Sequence, residues 1–196
     1  GSAKFARIGA LVACNYTKSL FEKETFPENF KDFFNLLKER IKKHSEKRNR
    51  DIKDFSSTLL FIGVEEESYK LIHIGDGLIA CLYEDGIIKT LSQGFKGEYA
   101  NETVFLTTNN VENFVVYKTG NWNKEKIKAF FLMSDGMQQI LYQKSTDTFG
   151  KALYKIYNWF YEEENLEKLK RQIKSQREIF YQKTYDDLSL CILGRV

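Results

Sequence analysis

The sequence predicts an α+β fold, with helices and strands segregated along the chain. Three observations predict it. Apolar residues recur at helical spacing over residues 5–21 and 27–48. From Phe55 to Met133 they fall into short runs, broken by turn residues about every ten positions. Helical periodicity then returns, before a last strand-like run at Leu188–Leu193.

Taken in order, residues 5–21 place Phe5, Ile8, Leu11, Val12, Leu20 and Phe21 at helical spacing, with Ala6, Gly9, Ala10 and Ala13 between them. Such small residues let a helix lie close against a sheet. In 27–48, Pro27 suits the first turn of a helix, and Phe30, Phe33, Phe34, Leu37 and Ile41 make one stripe. The end of this helix is basic, with eight Lys/Arg and four Asp/Glu over residues 38–54. That is a solvated helix end or a docking patch. Strand-like runs follow at 58–64, 69–75, 78–83, 86–91, 103–107, 114–118 and 127–133. Glu65-Glu66-Glu67, Gly75-Asp76-Gly77, Glu84-Asp85-Gly86 and Asn109-Asn110 punctuate them. They predict an antiparallel meander, and many are apolar throughout, so both faces should be covered.

Residues 136–143 and 148–160 predict helices. So do 162–180, where Glu162, Glu163 and Glu164 precede Lys168, Lys170, Arg171, Lys174 and Arg177, the order that suits a helix dipole. A sheet buried on both sides needs helices outside it, or a second sheet and then helices. At 196 residues, with no internal repeat, linker or low-complexity segment, residues 1–196 are expected to form a single domain.

Composition bounds the function. Hydrophobic residues at 42% and charged residues at 29% exclude a disordered chain. Thirty Lys/Arg against 27 Asp/Glu give a formal charge of +3, too small to argue for nucleic acid or membrane binding. Cys14, Cys81 and Cys191 are odd in number and lack CxxC spacing, which argues against a zinc site and a disulfide framework and for a reducing compartment. No signal peptide or membrane span is visible, so the expected location is the cytoplasm. With only His44 and His73, any metal must be held by carboxylates.

Three carboxylate positions sit at strand–turn boundaries, where a sheet presents functional groups. Asp135 follows the run Ala129–Met133 within Ser134-Asp135-Gly136, and Gly136 would allow a sharp exit into a helix. Asp186-Asp187 precedes Leu188–Leu193. Neighbouring side chains on extended backbone face opposite ways, so one of the two is expected at any site. Asp76 lies in Gly75-Asp76-Gly77. Singly, each is an ordinary turn, cap or loop end. Together they would suit an oxygen-only site for a hard divalent cation such as Mg²⁺ or Mn²⁺.

Other schemes fare worse. No phosphate loop with an Arg follows any of the three cysteines. His44 lies in a charged helix tail, and His73 inside an apolar run, where a packed sheet residue is expected. There is no Walker-type or dinucleotide glycine loop.

These same stretches resemble the protein phosphatase 2C family of metal-dependent Ser/Thr phosphatases, and in particular its compact bacterial branch. Ser57-Thr58-Leu59-Leu60 is similar to the Ser/Thr-rich opening of a core strand of the family. Ile72-His73-Ile74-Gly75-Asp76-Gly77 is similar to its Gly-Asp turn. Phe131-Leu132-Met133-Ser134-Asp135-Gly136 resembles its Ser-Asp-Gly metal motif, and Tyr185-Asp186-Asp187-Leu188-Ser189-Leu190 its closing Asp-Asp/Asn motif. Gly97–Thr103, with Phe105-Leu106-Thr107, is similar to a segment of the bacterial branch. The motifs occur in the family's order and span essentially the whole chain.

The resemblance implies a four-layer αββα sandwich, two antiparallel sheets flanked by helices. It implies that Asp135 and Asp186 ligate a catalytic pair of Mn²⁺ or Mg²⁺ ions, and that Asp76 serves an additional, weaker metal. The implied reaction is hydrolysis of phosphoserine and phosphothreonine esters by a metal-activated water, without a covalent intermediate. The implied partner is a phosphorylated protein substrate, together with a partner Ser/Thr kinase, and the protein is expected to be a monomer.

Two departures bear on this. The family's first metal Asp lies in an Asp-Gly turn, and this chain begins with residues like those that follow that turn. The bridging Asp and an upstream phosphate-binding Arg are therefore expected to be missing, through truncation or in a natural short relative, and the chain as given is expected to be inactive. Second, Gln139 stands where some relatives carry an Asp for the additional metal. Two further hypotheses stand beside the enzyme. One is a non-catalytic phosphatase-like module that binds a phosphoprotein or regulates a kinase through residues 38–54 and 162–180. The other is an α+β domain whose Asp residues are merely turns.

Overall fold

A computed structural model describes residues 3–26, 29–94, 103–162 and 166–194. Gly1-Ser2 at the start of the chain lie outside the described residues, as do Pro27, the segment 97–102 and Glu163-Glu164, which were used above. The fold is α+β. In order the elements are α1 (Ala6–Glu22), α2 (Phe30–Glu46), a 3-10 turn at Ile52–Phe55, β1 (Leu59–Glu65), β2 (Ser68–Ile74), β3 (Leu78–Tyr83) and β4 (Ile88–Gln93). A second 3-10 turn at Val111–Phe114 leads to β5 (Val116–Asn121), β6 (Ile127–Met133) and α3 (Asp135–Leu141). The chain ends with β7 (Tyr142–Gln143), β8 (Thr148–Phe149), α4 (Lys151–Glu162), α5 (Leu166–Tyr181) and β9 (Leu190–Gly194). It forms two compact units, Gly1–Asp76 with Ser92–Asn123, and Gly77–Leu91 with Lys124–Val196.

The first unit is built on an antiparallel sheet in the order β1-β2-β5. The α2 helix starts where the Asn29 side chain accepts the Lys31 backbone N–H at 2.9 Å, a cap for an otherwise unpaired donor. Its stripe Phe33, Phe34, Leu37 and Ile41 is buried, packed in one core with Leu59, Ile72, Ile74, Leu106 and Val111. Each such side chain contributes about 1.5–3 kcal/mol by burial. The α1 helix buries its small residues, Gly9, Ala13 and Thr17, while Leu11 is 52% exposed. The close approach expected of that helix is real: a Cβ on Gly9 would stand 2.0 Å from the Phe55 carbonyl oxygen.

The second unit holds a sheet in the order β4-β3-β6-β9. β3 pairs antiparallel with β6, Leu78 opposite Met133, and β6 pairs antiparallel with β9, Met133 opposite Leu190. The α4 helix turns Leu153, Ile156 and Tyr157 onto Leu78, Ala80, Leu82, Phe131 and Met133, at the i, i+3, i+4 spacing of one helical face.

Four local expectations are corrected. The strands do not form one meander, because β1 and β2 belong to one sheet and β3 and β4 to the other. Gly75-Asp76-Gly77 therefore joins two sheets instead of closing a hairpin. Periodicity shows that a strand exists, not which strand it pairs with. Residues 103–107 form no continuous strand. Leu106 is apolar because it plugs the first core, with its N–H donated to the Ser57 carbonyl at 2.9 Å. Residues 142–149 carry the small β7–β8 pair instead of helix ends. In α5, Glu167 occupies the first turn but no basic residue occupies the last, so charge matches the dipole at one end only. His73, in β2, is buried as expected. Among the described residues, no helix is long and apolar enough to cross a membrane.

Candidate metal centre

The second unit brings Asp135 and Asp186 to one end of a strand pair. β6 runs out at Met133, opposite the first residue of β9. Asp135 lies two residues beyond that pair on one strand, and Asp186 four residues before it on the other. The antiparallel register thus carries both to the same end.

Ser134 ties the two segments together. As N-cap of α3, its Oγ accepts the Met137 N–H at 3.4 Å. The same Oγ donates to the Asp187 carbonyl at 2.9 Å and accepts the Ser189 N–H at 3.0 Å. The Ser134 N–H adds a bond to the Ser189 carbonyl at 3.0 Å.

Gly136 has a different use from the one expected. It does not supply a left-handed turn, since only Gly75 and Gly86 among the described glycines have positive φ. It sits inside α3, and a Cβ there would lie 2.8 Å from the Asp187 carbonyl oxygen and 2.9 Å from the Asp186 Cβ. The missing side chain is what lets Asp186 approach the residue next to Asp135. Of the Asp186-Asp187 pair, Asp186 is the one whose side chain meets this glycine.

Both carboxylates are held. Asp135 Oδ1 accepts the Gly136 N–H at 2.8 Å. Asp186 Oδ2 accepts from the Gln139 amide at 2.8 Å. The Gln139 carbonyl oxygen accepts from the Thr184 hydroxyl at 3.0 Å, and the Thr184 Oγ1 accepts the Asp186 N–H at 3.2 Å. Asp186, Gln139 and Thr184 thus close a ring of three hydrogen bonds. A carboxylate only accepts, which places the amide NH₂ toward Asp186 and its oxygen toward Thr184. Thr184 is buried, while Gln139 and Asp186 face solvent.

Gln139 and Thr184 were not expected as parts of this site. Their signals are local ones. Gln139 stands four residues after Asp135, on the same helix face, and a Thr two residues before an Asp is a familiar side-chain-to-backbone turn.

Asp76 lies in the first unit. Its carboxylate accepts from the Thr103 hydroxyl at 2.5 Å. Gly75 before it has φ +116°, and a Cβ there would stand 2.3 Å from Thr58 Cγ2, so both the turn and its packing require glycine. Nearby in sequence, His73 Nδ1 is hydrogen-bonded with Ser92 Oγ at 2.8 Å, while its Nε2 is buried with no partner among the described residues. Burial drives its pKa down to about 4, against the opposing pull of the Asp76 charge. It is a neutral packed residue at neutral pH, with nothing of a general base about it.

Chemically, Asp135 and Asp186 offer oxygen donors only, close to water, and suit a hard divalent cation that keeps much of its hydration. Among the described residues, no cluster of three or more His, Cys, Asp or Glu side chains is formed. Among the described residues, the second unit thus brings the segments that carry Asp135 and Asp186 together through Ser134 and Gly136.

A family model described as protein phosphatase 2C matches residues 1–174. No curated protein sequence matches the chain. Among solved structures, a mutant bacterial serine phosphatase is similar at TM-score 0.57 and 16% identity, over 94% of this chain and 76% of that one. A bacterial serine phosphatase is similar at TM-score 0.52 and 12% identity, over 82% of this chain and 66% of that one. A serine/threonine phosphatase from Staphylococcus aureus scores 0.46 at 18% identity, over 83% of this chain and 67% of that one. The first two likenesses concern the fold.

Proposed function

The chain belongs to the protein phosphatase 2C family, and from that premise we propose that it serves as a metal-dependent protein Ser/Thr phosphatase. Its substrates would be phosphoserine and phosphothreonine esters of proteins, and a Ser/Thr kinase would supply them. Residues 1–196 would make up one catalytic domain. The observation that supports this most is the contact of Gly136 with the Asp186-Asp187 segment. It joins two acids that lie 51 positions apart in the chain (186 − 135).

Asp135 and Asp186 would hold a divalent cation, Mn²⁺ or Mg²⁺, and Asp76 an additional one. Such ions, when bound, acidify water and offset charge on phosphoryl oxygens. The chain's own residues do the positioning. Ser134 fixes the strand end that carries Asp135 to the segment that carries Asp186. Gln139 and Thr184 fix the plane of the Asp186 carboxylate.

The test is phosphate release from a phosphoserine or phosphothreonine peptide by the full-length protein, with Mn²⁺ or Mg²⁺ and with a chelator. Metal-stimulated release that is lost in Asp135→Asn and in Asp186→Asn is the expected result. A folded native protein that binds phosphopeptide but never turns it over would mark a phosphatase-like binding module instead.

A further inference from the structure

The second unit contains a cavity of about 460 Å³, within the size range of small-molecule sites. α4 contributes Ile156, Trp159 and Phe160, at the i, i+3, i+4 spacing of one face. α5 contributes Ile173 and Phe180, one on each side of Gln176. Phe160 is 47% exposed and Ile173 40%, so apolar surface around the cavity is left to water. Exposed apolar surface in a concavity is one of the features of ligand-binding grooves.

The charged side chains that line it are, among the described residues, all cationic. Lys170, Lys174 and Arg177 line the cavity, at positions i, i+4 and i+7 of α5, and among the described residues no Asp or Glu lines it. Lys170 is bonded to Glu167 at 2.7 Å, and the Arg177 guanidinium lies 5.2 Å from the Tyr181 ring centre. Neither Lys174 nor Arg177 is in an ion pair among the described residues. Apart from these cations, the polar side chains of the lining are those of Gln176 and Tyr181.

We propose that this cavity binds a small amphipathic anion, a single apolar chain or fused ring system carrying one carboxylate or phosphate head. The apolar walls take the body, and the Lys174 and Arg177 donors take the head by charge-assisted hydrogen bonds. A neutral apolar ligand would leave the cationic rim unused. A peptide strand would bring backbone N–H and C=O groups for which these walls hold almost no partners. The volume suits one free molecule, which is the source the proposal commits to, as opposed to a bilayer.

The cavity also adjoins the segments that carry Asp135 and Asp186. Met137 and Leu188 also line the cavity, and they lie two residues after Asp135 and Asp186. A ligand there touches the same two segments that carry the acids. The binding itself is independent of the phosphatase assignment and is tested without any turnover.

The chain has two tryptophans, Trp122 and Trp159, and only Trp159 lines the cavity. In full-length Trp122→Phe protein, fluorescence therefore reports on Trp159. Titration with ω-bromododecanoate below its micelle-forming concentration should quench that emission saturably. ω-Bromododecanol should bind about tenfold more weakly or worse, and a Lys174→Gln/Arg177→Gln double variant should lose about tenfold for the carboxylate while keeping its affinity for the alcohol. A Leu190→Phe variant, checked for folding by circular dichroism, should weaken both by filling the cavity. Equal affinity for acid and alcohol, unchanged binding in the double variant, or quenching only by vesicles of brominated anionic lipid would each overturn the proposal.

Discussion

The side-chain amide of Gln139 donates to Oδ2 of Asp186 at 2.8 Å. It does so from the helix that Asp135 begins. Gln139, which stands where some relatives are expected to carry an Asp, is thus the residue that orients the Asp186 carboxylate. An Asp at this position would set a second negative charge beside Asp186; a Gln gives it a donor instead. Gln139→Ala should weaken Mn²⁺ binding about 10- to 100-fold, the usual cost of removing a group that orients a ligand. Because Gln139 is exposed, thermal stability should change little. Calorimetric titration with Mn²⁺ checks this, and an affinity equal to that of the native protein would show the bond to be incidental.

Asp135→Asn and Asp186→Asn keep side-chain shape and remove charge. Each should lower kcat about 100-fold or more, since a bound cation contributes several kcal/mol to such transition states. Asp187→Asn should have a far smaller effect, because it is the Asp186 side chain that lies against Gly136, beside Asp135. Steady-state phosphate release from a phosphopeptide separates the three. Equal losses at Asp186 and Asp187 would contradict the assignment.

Gly136→Ala sets two effects against each other. In an open helix the change gains about 1 kcal/mol. Here the new Cβ would meet the Asp187 carbonyl oxygen and the Asp186 Cβ at 2.8 and 2.9 Å, and such overpacking costs about 1–3 kcal/mol. The expected net is a loss of up to about 2 kcal/mol in urea unfolding, with a larger loss of metal affinity. A stabilised variant would mean that the segment carrying Asp186 does not sit where described.

His73 makes the first unit acid-sensitive. Its folded pKa, about 4, lies below the 6.5 of an exposed histidine because burial penalises the charged ring. Between those values the unfolded chain takes up a proton that the folded chain refuses. Stability is therefore intact above about pH 6.5 and falls as pH drops toward 4. The slope is about 1.4 kcal/mol per pH unit and the total about 3 kcal/mol. His73→Asn, which can keep the bond to Ser92, should flatten that slope. Chemical denaturation of both proteins between pH 4 and pH 7 measures it, and identical pH profiles would exclude His73 as the cause.

Much of this was legible in the sequence for identifiable reasons. The α2 stripe of Phe33, Phe34, Leu37 and Ile41 is buried as its spacing predicts, because helical period and burial are linked directly. β3 and β6 were visible as runs for the same kind of reason. Their partners were not, because strand pairing is a long-range choice that no local pattern encodes. At the site, Asp135 and Asp186 could be singled out by residue type and motif. The reason for Gly136 could not, since it depends on a backbone that arrives from 50 positions later (186 − 136). Gln139 shows the same limit. Its type said only that no charge was available, and its bond to Asp186 became visible with the fold.

The pairing of β6 with β9 also sets a schedule for the nascent chain. A ribosome releases Asp135 well before Asp186; at about 5–20 residues per second the gap is about 3–10 s. Throughout that interval β6 has an unpaired flank, and its end carries a single acid. The pair of acids exists only once residue 186 has emerged, so a product clipped just ahead of Asp186 would lack both the pair and β9, and would offer β6 as a sticky edge to other chains.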